Sequence, residues 1–294
     1  MNISESFAAL IGRIQPLQSE LDAARQHRDT IKTRLEKDFD LSSCRPIGSS
    51  ARETSIRDFS DTDLLAAFRK TSFTRGGTLV SSDTALDNVR KALAERYPNS
   101  AVYRDGIAIA VSFSDGRHVD VVPGLFEKMH ELGSTKWPVY SIPDGGGSWM
   151  QTSPTLYDAY ILEANRESGG KLLQVAQLMK FWRECREPRI PLSSFHIEMI
   201  LASEDLCKGV KSYAQCMLDI LRSLARRECR AMRDPYDIAG NMPAVKTVSQ
   251  RERSLASVIN SRNHADSART AEIAGDLQDA RKQWDIVFNG AFPW

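Results

Sequence analysis

The stretch Gly48 to Leu65 reads GSSARETSIRDFSDTDLL, and the rest of the chain is organised around it. It opens on Gly48-Ser49, passes through a polar segment carrying Arg52, Thr54 and Arg57, and ends in Asp61-Thr62-Asp63 against Leu64-Leu65. On a strand, side chains two residues apart share a face, so Asp61 and Asp63 project side by side. Two carboxylates held that close repel, more strongly as water is excluded, and a divalent cation removes the cost. Ligands that are all oxygen favour Mg²⁺ or Mn²⁺ over zinc. A lone D-x-D also fits a solvated polar turn. The combination here is narrower, because a Gly-Ser able to bring backbone N–H groups close to a phosphate precedes the acidic pair.

A third acid changes the balance. Ala101 to Val122 reads as two strands, with Ile107, Ile109, Val111 and Phe113 alternating with small residues. Ser114-Asp115-Gly116-Arg117 between them has the composition of a two-residue type I′ hairpin. That loop pairs residue 113 with 118 and 111 with 120, placing Asp120 on a face shared with Val111 and Phe113. An acid flanked by valines is costly unless neutralised. Asp120 either pairs with an arginine, caps a loop, or joins Asp61 and Asp63. Three carboxylates on adjacent strands suffice for two Mg²⁺ ions ~4 Å apart, the clamp used in phosphoryl transfer.

A chain of 294 residues can bury a large core as one domain or two lobes. Its 39 Lys and Arg nearly cancel 38 Asp and Glu, so overall charge calls for no obligatory nucleic-acid partner. Cys44, Cys185, Cys207, Cys216 and Cys229 are scattered without zinc-ligand spacing, which suits free thiols in a reducing cytoplasm. No apolar run approaches the ~20 residues of a membrane helix, and the N-terminus lacks a signal-peptide pattern. These readings give a cytoplasmic protein with no membrane partner.

Phe7, Leu10, Ile11 and Ile14 predict one helix, broken by Pro16, and Leu17 to Leu35 a longer one, both expected to pack on a sheet. The segment from Pro123 to Pro154 reads as loop, with the glycine run at 145–147 as a connection between lobes. Beyond it the chain is helical, with helices expected over 155–167, 170–186, 194–204, 210–232, 247–262 and 265–287. The division is a core over 1–150 and a helical lobe over 151–294. Lys180, inside an apolar helix, either snorkels to solvent or faces a cleft and neutralises phosphate. Ser194 can be an N-cap and Phe195 core. The arginines at 222, 226, 227, 230 and 233 form a solvated face paired with acids such as Asp219 and Glu228, or a nucleic-acid contact.

Gly48-Ser49 with Arg52 and Thr54, then Ser60 to Leu65, then Val119-Asp120-Val121-Val122-Pro123, resemble the signatures of the polymerase-β-type nucleotidyltransferases. Within them the chain is similar to the oligoadenylate synthase branch that includes the bacterial cGAS/DncV-like enzymes (CD-NTases) of anti-phage signalling. Leu173 to Trp182, Pro191 to Glu198 (PLSSFHIE), Asp234-Pro235 ahead of Asn241 and the tail Trp284 to Pro293 extend the likeness across most of the chain. The resemblance implies an α+β fold, a polymerase-β-like lobe of mixed sheet and flanking helices beside a helical lobe, with the site in the cleft between them. It implies metal ligation by Asp61, Asp63 and Asp120, and contact of Gly48 and Ser49 with the donor's β- and γ-phosphates. It places Lys180 and Ser194 on the triphosphate and Phe195 where the family usually has a tyrosine stacking on the donor base. Ser50 replaces a more usual aromatic and Glu53 a more usual glycine.

The activity implied is template-independent joining of NTPs, ATP and/or GTP, into a cyclic di- or trinucleotide with release of pyrophosphate. The cofactor is Mg²⁺, two ions, with Mn²⁺ as alternative. The partners implied are a downstream effector reached through the product and a regulatory protein. Rival readings are a linear oligonucleotide synthase, nucleotidylation of a small molecule or protein, and a silent binding scaffold.

Overall fold

The computed structural model describes every residue except Ser60, so the first residue of the S-D-T-D motif lies outside the described residues. The chain begins with α1 (Ile3–Ile14), started by a reciprocal cap in which Glu5 N–H donates to Asn2 Oδ1 at 2.9 Å. Pro16 separates it from α2 (Gln18–Asp38), and β1 (Leu41–Pro46), α3 (Gly48–Arg52) and β2 (Thr62–Phe68) follow. After a 3₁₀ turn come the two-residue strands β3 (Thr74–Arg75) and β4 (Thr78–Leu79), then α4 (Ser82–Arg96). The sheet continues with β5 (Ala101–Asp105), β6 (Ala108–Ser112), β7 (His118–Leu132), β8 (Thr135–Pro143) and β9 (Trp149–Thr152). The second half carries α5 (Pro154–Glu167), α6 (Lys171–Glu184), α7 (Ser194–Ser203) and α8 (Tyr213–Arg226). It closes with β10 (Met232–Arg233), β11 (Asn241–Met242), α9 (Val248–Ile273) and α10 (Leu277–Val287).

The main sheet has seven strands in the order β1-β2-β7-β6-β5, with β8 on the far half of β7 and β9 beyond it. Strands β2 and β7 are parallel, whereas β7 is antiparallel to β6 and β8. Leu64, Ala66 and Phe68 of β2 point to the face covered by Ile31 and Leu35 of α2 and Leu86, Val89 and Leu93 of α4. Leu65 and Ala67 point the other way, with Val122, Tyr140 and Ile142.

Several expectations are corrected here. Residues 101–122 hold three strands, because Asp105 to Ala108 is a further turn. The hairpin loop is Ser114–Gly116, one residue longer than read, with Phe113 N–H donating to Arg117 O at 2.8 Å. Gly116 takes a φ of +81° there, the left-handed position of a three-residue loop. The register therefore slips by one, and Asp120 lies opposite Ala110 rather than Val111. Residues 123–154 are mostly strand, and the glycine run is the β8–β9 turn, held by Asp144 Oδ1 accepting from Gly146 N–H at 2.7 Å. The break expected between 262 and 265 is absent: α9 runs to Ile273 and Gly275 ends it. Finally, α1 does not pack on the sheet. Phe7 is fully buried against Trp284 and Phe292, so α1 shares the core of α6, α8 and α10. No described helix is long and apolar enough to cross a membrane.

Candidate active site

The site is built beside α3, where β1 ends and β2 and β7 begin. The Ile47 N–H donates to the Asp63 carbonyl at 3.0 Å, which draws the start of α3 against β2. Gly48 adopts a φ of +63°, and a Cβ on it would sit 2.5 Å from Asp63 Oδ2. Only glycine meets both conditions without strain. Ser49 is buried, its carbonyl accepting from Thr54 N–H at 3.1 Å.

Asp61 precedes β2, Asp63 is its second residue, and the parallel register sets Asp63 directly beside Asp120 of β7. Asp120 and its cross-strand partner Ala110 share a face, opposite the face of Val119 and Val121. Burial pushes the Asp63 carboxyl up to about 7, and Asp120 and then Asp61 reinforce the shift against Lys180. Burial likewise raises Asp120 to about 6, with Asp61 and Asp105 adding to it and His118 opposing. Asp61, at the exposed rim, is shifted upward by desolvation, with His118, Arg189 and Lys180 opposing. Among the described residues, no side-chain hydrogen bond or ion pair reaches any of these three carboxylates. Nor do three His, Cys, Asp or Glu side chains already meet at ligating positions among the described residues. The acids are juxtaposed without being closed on one point. Their donor set is oxygen only and lacks a protein cation in contact, which fits hard divalent ions.

The other predicted residues come from the helical half. Lys180 of α6 does not snorkel; it is buried, with burial lowering its pKa and Glu198, then Asp63, opposing that shift. Ser194 opens α7 but is not its cap: Ser193 Oγ accepts from His196 N–H at 3.3 Å, while the Ser194 hydroxyl accepts from Arg183 Nη1. Phe195 is half-buried, its ring 5.6 Å from that of Tyr157 and under the Arg52 guanidinium at 5.5 Å. The arginines from 222 to 233 are all ion-paired, with Asp266, Glu204, Glu228 and Asp237; Asp219 pairs instead with Lys211.

Sequence reasoning gave no role to Glu198 or Asp158. Arg52 is buried between them, at 2.6 Å from each, and Thr54 Oγ1 donates to the other Glu198 oxygen at 2.7 Å. The signal was an acid on an otherwise apolar helix, between Ile197 and Met199. Gln177 of α6 also reaches this segment, its amide donating to Glu53 O at 3.2 Å and Ser55 O at 3.1 Å.

A cleft of about 760 Å³ opens beside Asp61, lined by Arg25 and Arg28 of α2, by Phe59, and by Arg117 and His118 of the β6–β7 hairpin. Lys180, Ser194 and Phe195 lie outside its lining.

A family model described as the Second Messenger Oligonucleotide or Dinucleotide Synthetase domain matches residues 1–165. The chain is 29% identical over 237 residues to the cyclic AMP-AMP-AMP synthase of Escherichia coli strain MS 115-1, covering 76% of this chain and 70% of that protein. Among solved structures, E. coli MS115-1 CdnC with ATP superposes with a TM-score of 0.76 at 21% identity, over 100% of this chain and 99% of that one. CdnC in complex with HORMA-deltaN gives 0.74 at 22%, over 99% and 98%. The Vibrio cholerae cyclic AMP-GMP synthase DncV, in complex with a linear intermediate, gives 0.75 at 13%, over 100% and 97%.

Proposed function

The chain belongs to the Second Messenger Oligonucleotide or Dinucleotide Synthetase family and is a cyclic oligonucleotide synthase with the polymerase-β-like α+β fold; on that premise we propose that Asp61, Asp63 and Asp120 are its catalytic acids. The observation that carries this reading is the parallel register of Asp63 with Asp120, two carboxylates with raised pKa and no partner among the described residues. Enzymes of this class are generally divalent-metal dependent, and we assign Mg²⁺ to the trio, with Mn²⁺ as the alternative. Two such ions, when bound, supply the Lewis acidity that activates the attacking hydroxyl and neutralises the leaving pyrophosphate.

The chain's own residues do the rest. The glycine at 48 lets the backbone N–H groups of the α3 turn approach the donor's β- and γ-phosphates, and Ser49 follows in the same turn. Buried Lys180, whose charged form Glu198 and Asp63 favour against burial, serves the triphosphate, and Arg183 directs the Ser194 hydroxyl. Phe195 gives the donor base a stacking face without a hydroxyl. The cleft lined by Phe59, Arg25, Arg28 and Arg117 has the size of a small-ligand site, and those arginines, set among Glu20, Glu53, Asp58 and Asp115, are the cations that would meet the phosphates of a second nucleotide. A 3′- or 2′-hydroxyl then attacks the donor's α-phosphorus in line, the bond to the bridging oxygen breaks, and pyrophosphate leaves. Repetition closes a ring of two or three nucleotides without a template.

The name of the E. coli relative makes ATP the first substrate to examine, and the CdnC:HORMA complex directs attention to a regulatory protein partner. An effector that reads the product in anti-phage defence completes the scheme. The test is incubation of purified protein with Mg²⁺ and each labelled NTP, alone and mixed, with products resolved after phosphatase treatment. A phosphatase-resistant product that disappears in Asp61→Asn, Asp63→Asn and Asp120→Asn is expected. Retained turnover in the double variant D61N/D63N rejects the assignment.

A further inference from the structure

The α3 helix is five residues long, too short to fix its own direction, since an isolated helix needs ~12–15 residues to be even marginally stable. Its orientation comes from its anchors. The entry is tied to β2 by the Ile47–Asp63 backbone bond. The exit is tied to α7 through one carboxylate. Glu198 Oε2 accepts from Arg52 Nε at 2.6 Å, and Oε1 accepts from Thr54 Oγ1 at 2.7 Å. Between those two residues Glu53 turns the chain with a φ of +59°. Glu198 thus grips the segment on both sides of its kink, and its side chain is only 2% exposed. Among the described residues Asp158 accepts a side-chain hydrogen bond from Arg52 alone, and its side chain is more open, at 14%.

We propose that Glu198 is a positioning residue for the triphosphate cradle, setting the direction of Gly48 and Ser49 through Arg52 and Thr54. This rests on the assignment of Gly48 and Ser49 to the donor triphosphate made above. A pillar that only joined α3 to α7 would change folding stability without touching turnover. A positioning residue changes turnover at temperatures where every variant is folded, because small misplacements of reacting groups cost up to ~10²-fold in rate.

The experiment compares wild type, Glu198→Gln, Thr54→Val, Asp158→Asn and the double variant E198Q/T54V in the full chain with Mg²⁺ and ATP. Product formation is measured well below each melting temperature, beside the melting temperatures themselves. Glu198→Gln is expected to lower kcat about 10- to 100-fold. Thr54→Val is expected to cause a smaller loss, about 3- to 10-fold, and the double variant to be no worse than Glu198→Gln, since Thr54 acts through the same carboxylate. Asp158→Asn should stay within about threefold of wild type, because Glu198 still grips both residues. A kcat for Glu198→Gln within about twofold of wild type, or full additivity in the double variant, overturns the proposal. If Glu198→Gln does not fold, Thr54→Val decides: lowered kcat at an unchanged melting temperature supports it, and unchanged kcat overturns it. Wild type that forms no product overturns the functional reading and this proposal together, whereas active wild type with equally active Glu198→Gln overturns the proposal alone.

Discussion

Replacing Gly48 by alanine separates backbone geometry from side-chain chemistry, because alanine brings neither charge nor hydrogen bond. Two penalties follow from the structure. A residue with a Cβ pays about 1–2 kcal/mol in the left-handed region, and Gly48 sits there at φ +63°. The added Cβ would also lie 2.5 Å from Asp63 Oδ2, where ordinary contact begins at 3.4 Å. Relief requires the Asp63 carboxylate or the α3 turn to move by roughly 1 Å, a displacement that costs about 10²-fold in rate when it affects reacting groups. The expected result is a loss of product formation from labelled ATP of about 100-fold, with a melting temperature lowered by only a few degrees, on the order of 2–4 °C per kcal/mol. Calorimetry and phosphatase-resistant product, measured on the same preparation, read the two effects separately. Activity of Gly48→Ala within about threefold of wild type, at a temperature where it is folded, would refute the argument that this contact sets the position of Asp63.

Stability against pH is a second test. The folded-state values of Asp63 (about 7) and Asp120 (about 6) lie above the ~3.9 of an unfolded aspartate, so the folded chain binds these protons more tightly. Their unfavourable contribution is absent below about pH 4 and grows as pH rises towards 7, so metal-free protein loses stability across that window. Asp63→Asn should therefore melt higher than wild type near pH 8 and alike at pH 4, and Mg²⁺ should narrow the gap by stabilising the ionised wild type; a gap independent of pH refutes the account. In the cleft, Arg28→Ala and Arg117→Ala should each raise the KM for ATP by about 3- to 10-fold with little change in kcat, as expected for phosphate contacts remote from the reacting atoms. Steady-state kinetics check this, and unchanged KM in both removes the second nucleotide from that cleft.

The parts of the molecule that were legible in the sequence are those set by short-range pattern. Asp61 and Asp63 fall at the start of a strand, and the helical half appears nearly where periodicity puts it. What escaped was decided by partners far along the chain. Nothing local in Phe126 to Thr152 marks a strand ladder, because its exposed face and interrupted alternation make sense only once β7 supplies an edge to β8. The one-residue slip at Ser114–Gly116 was missed because Asp-Gly serves both two- and three-residue loops, and only the flanking core chooses. Phe7 could not announce that its partners are Trp284 and Phe292. Glu198 is the instructive case in the site: its neighbours in sequence are apolar, and its reason for being charged lies at Arg52 and Thr54.

The corrected register also explains why the acids have room. With Asp120 opposite Ala110 and Ala67 opposite Gly124, the face that bears the carboxylates carries the small residues Ala67, Ala108, Ala110 and Gly124 beside the bulkier Leu65 and Val122. Ile109, Val111, Val119, Val121 and Leu64 all point away, into the α2–α4 side. The α2–α4 face is a close-packed anchor, whereas directly across from Asp120 the other face has only the methyl of Ala110, which leaves room beside that carboxylate. Gly124 fits closely on this face, since a Cβ there would meet Leu65 Cδ1 at 2.7 Å. Had the register been the one read from Asp-Gly, Asp120 would have faced the aliphatic layer under α2 and α4, where an unpartnered charge is prohibitive. The hairpin loop length, fixed by Gly116, thus decides which side of the sheet the third acid reaches.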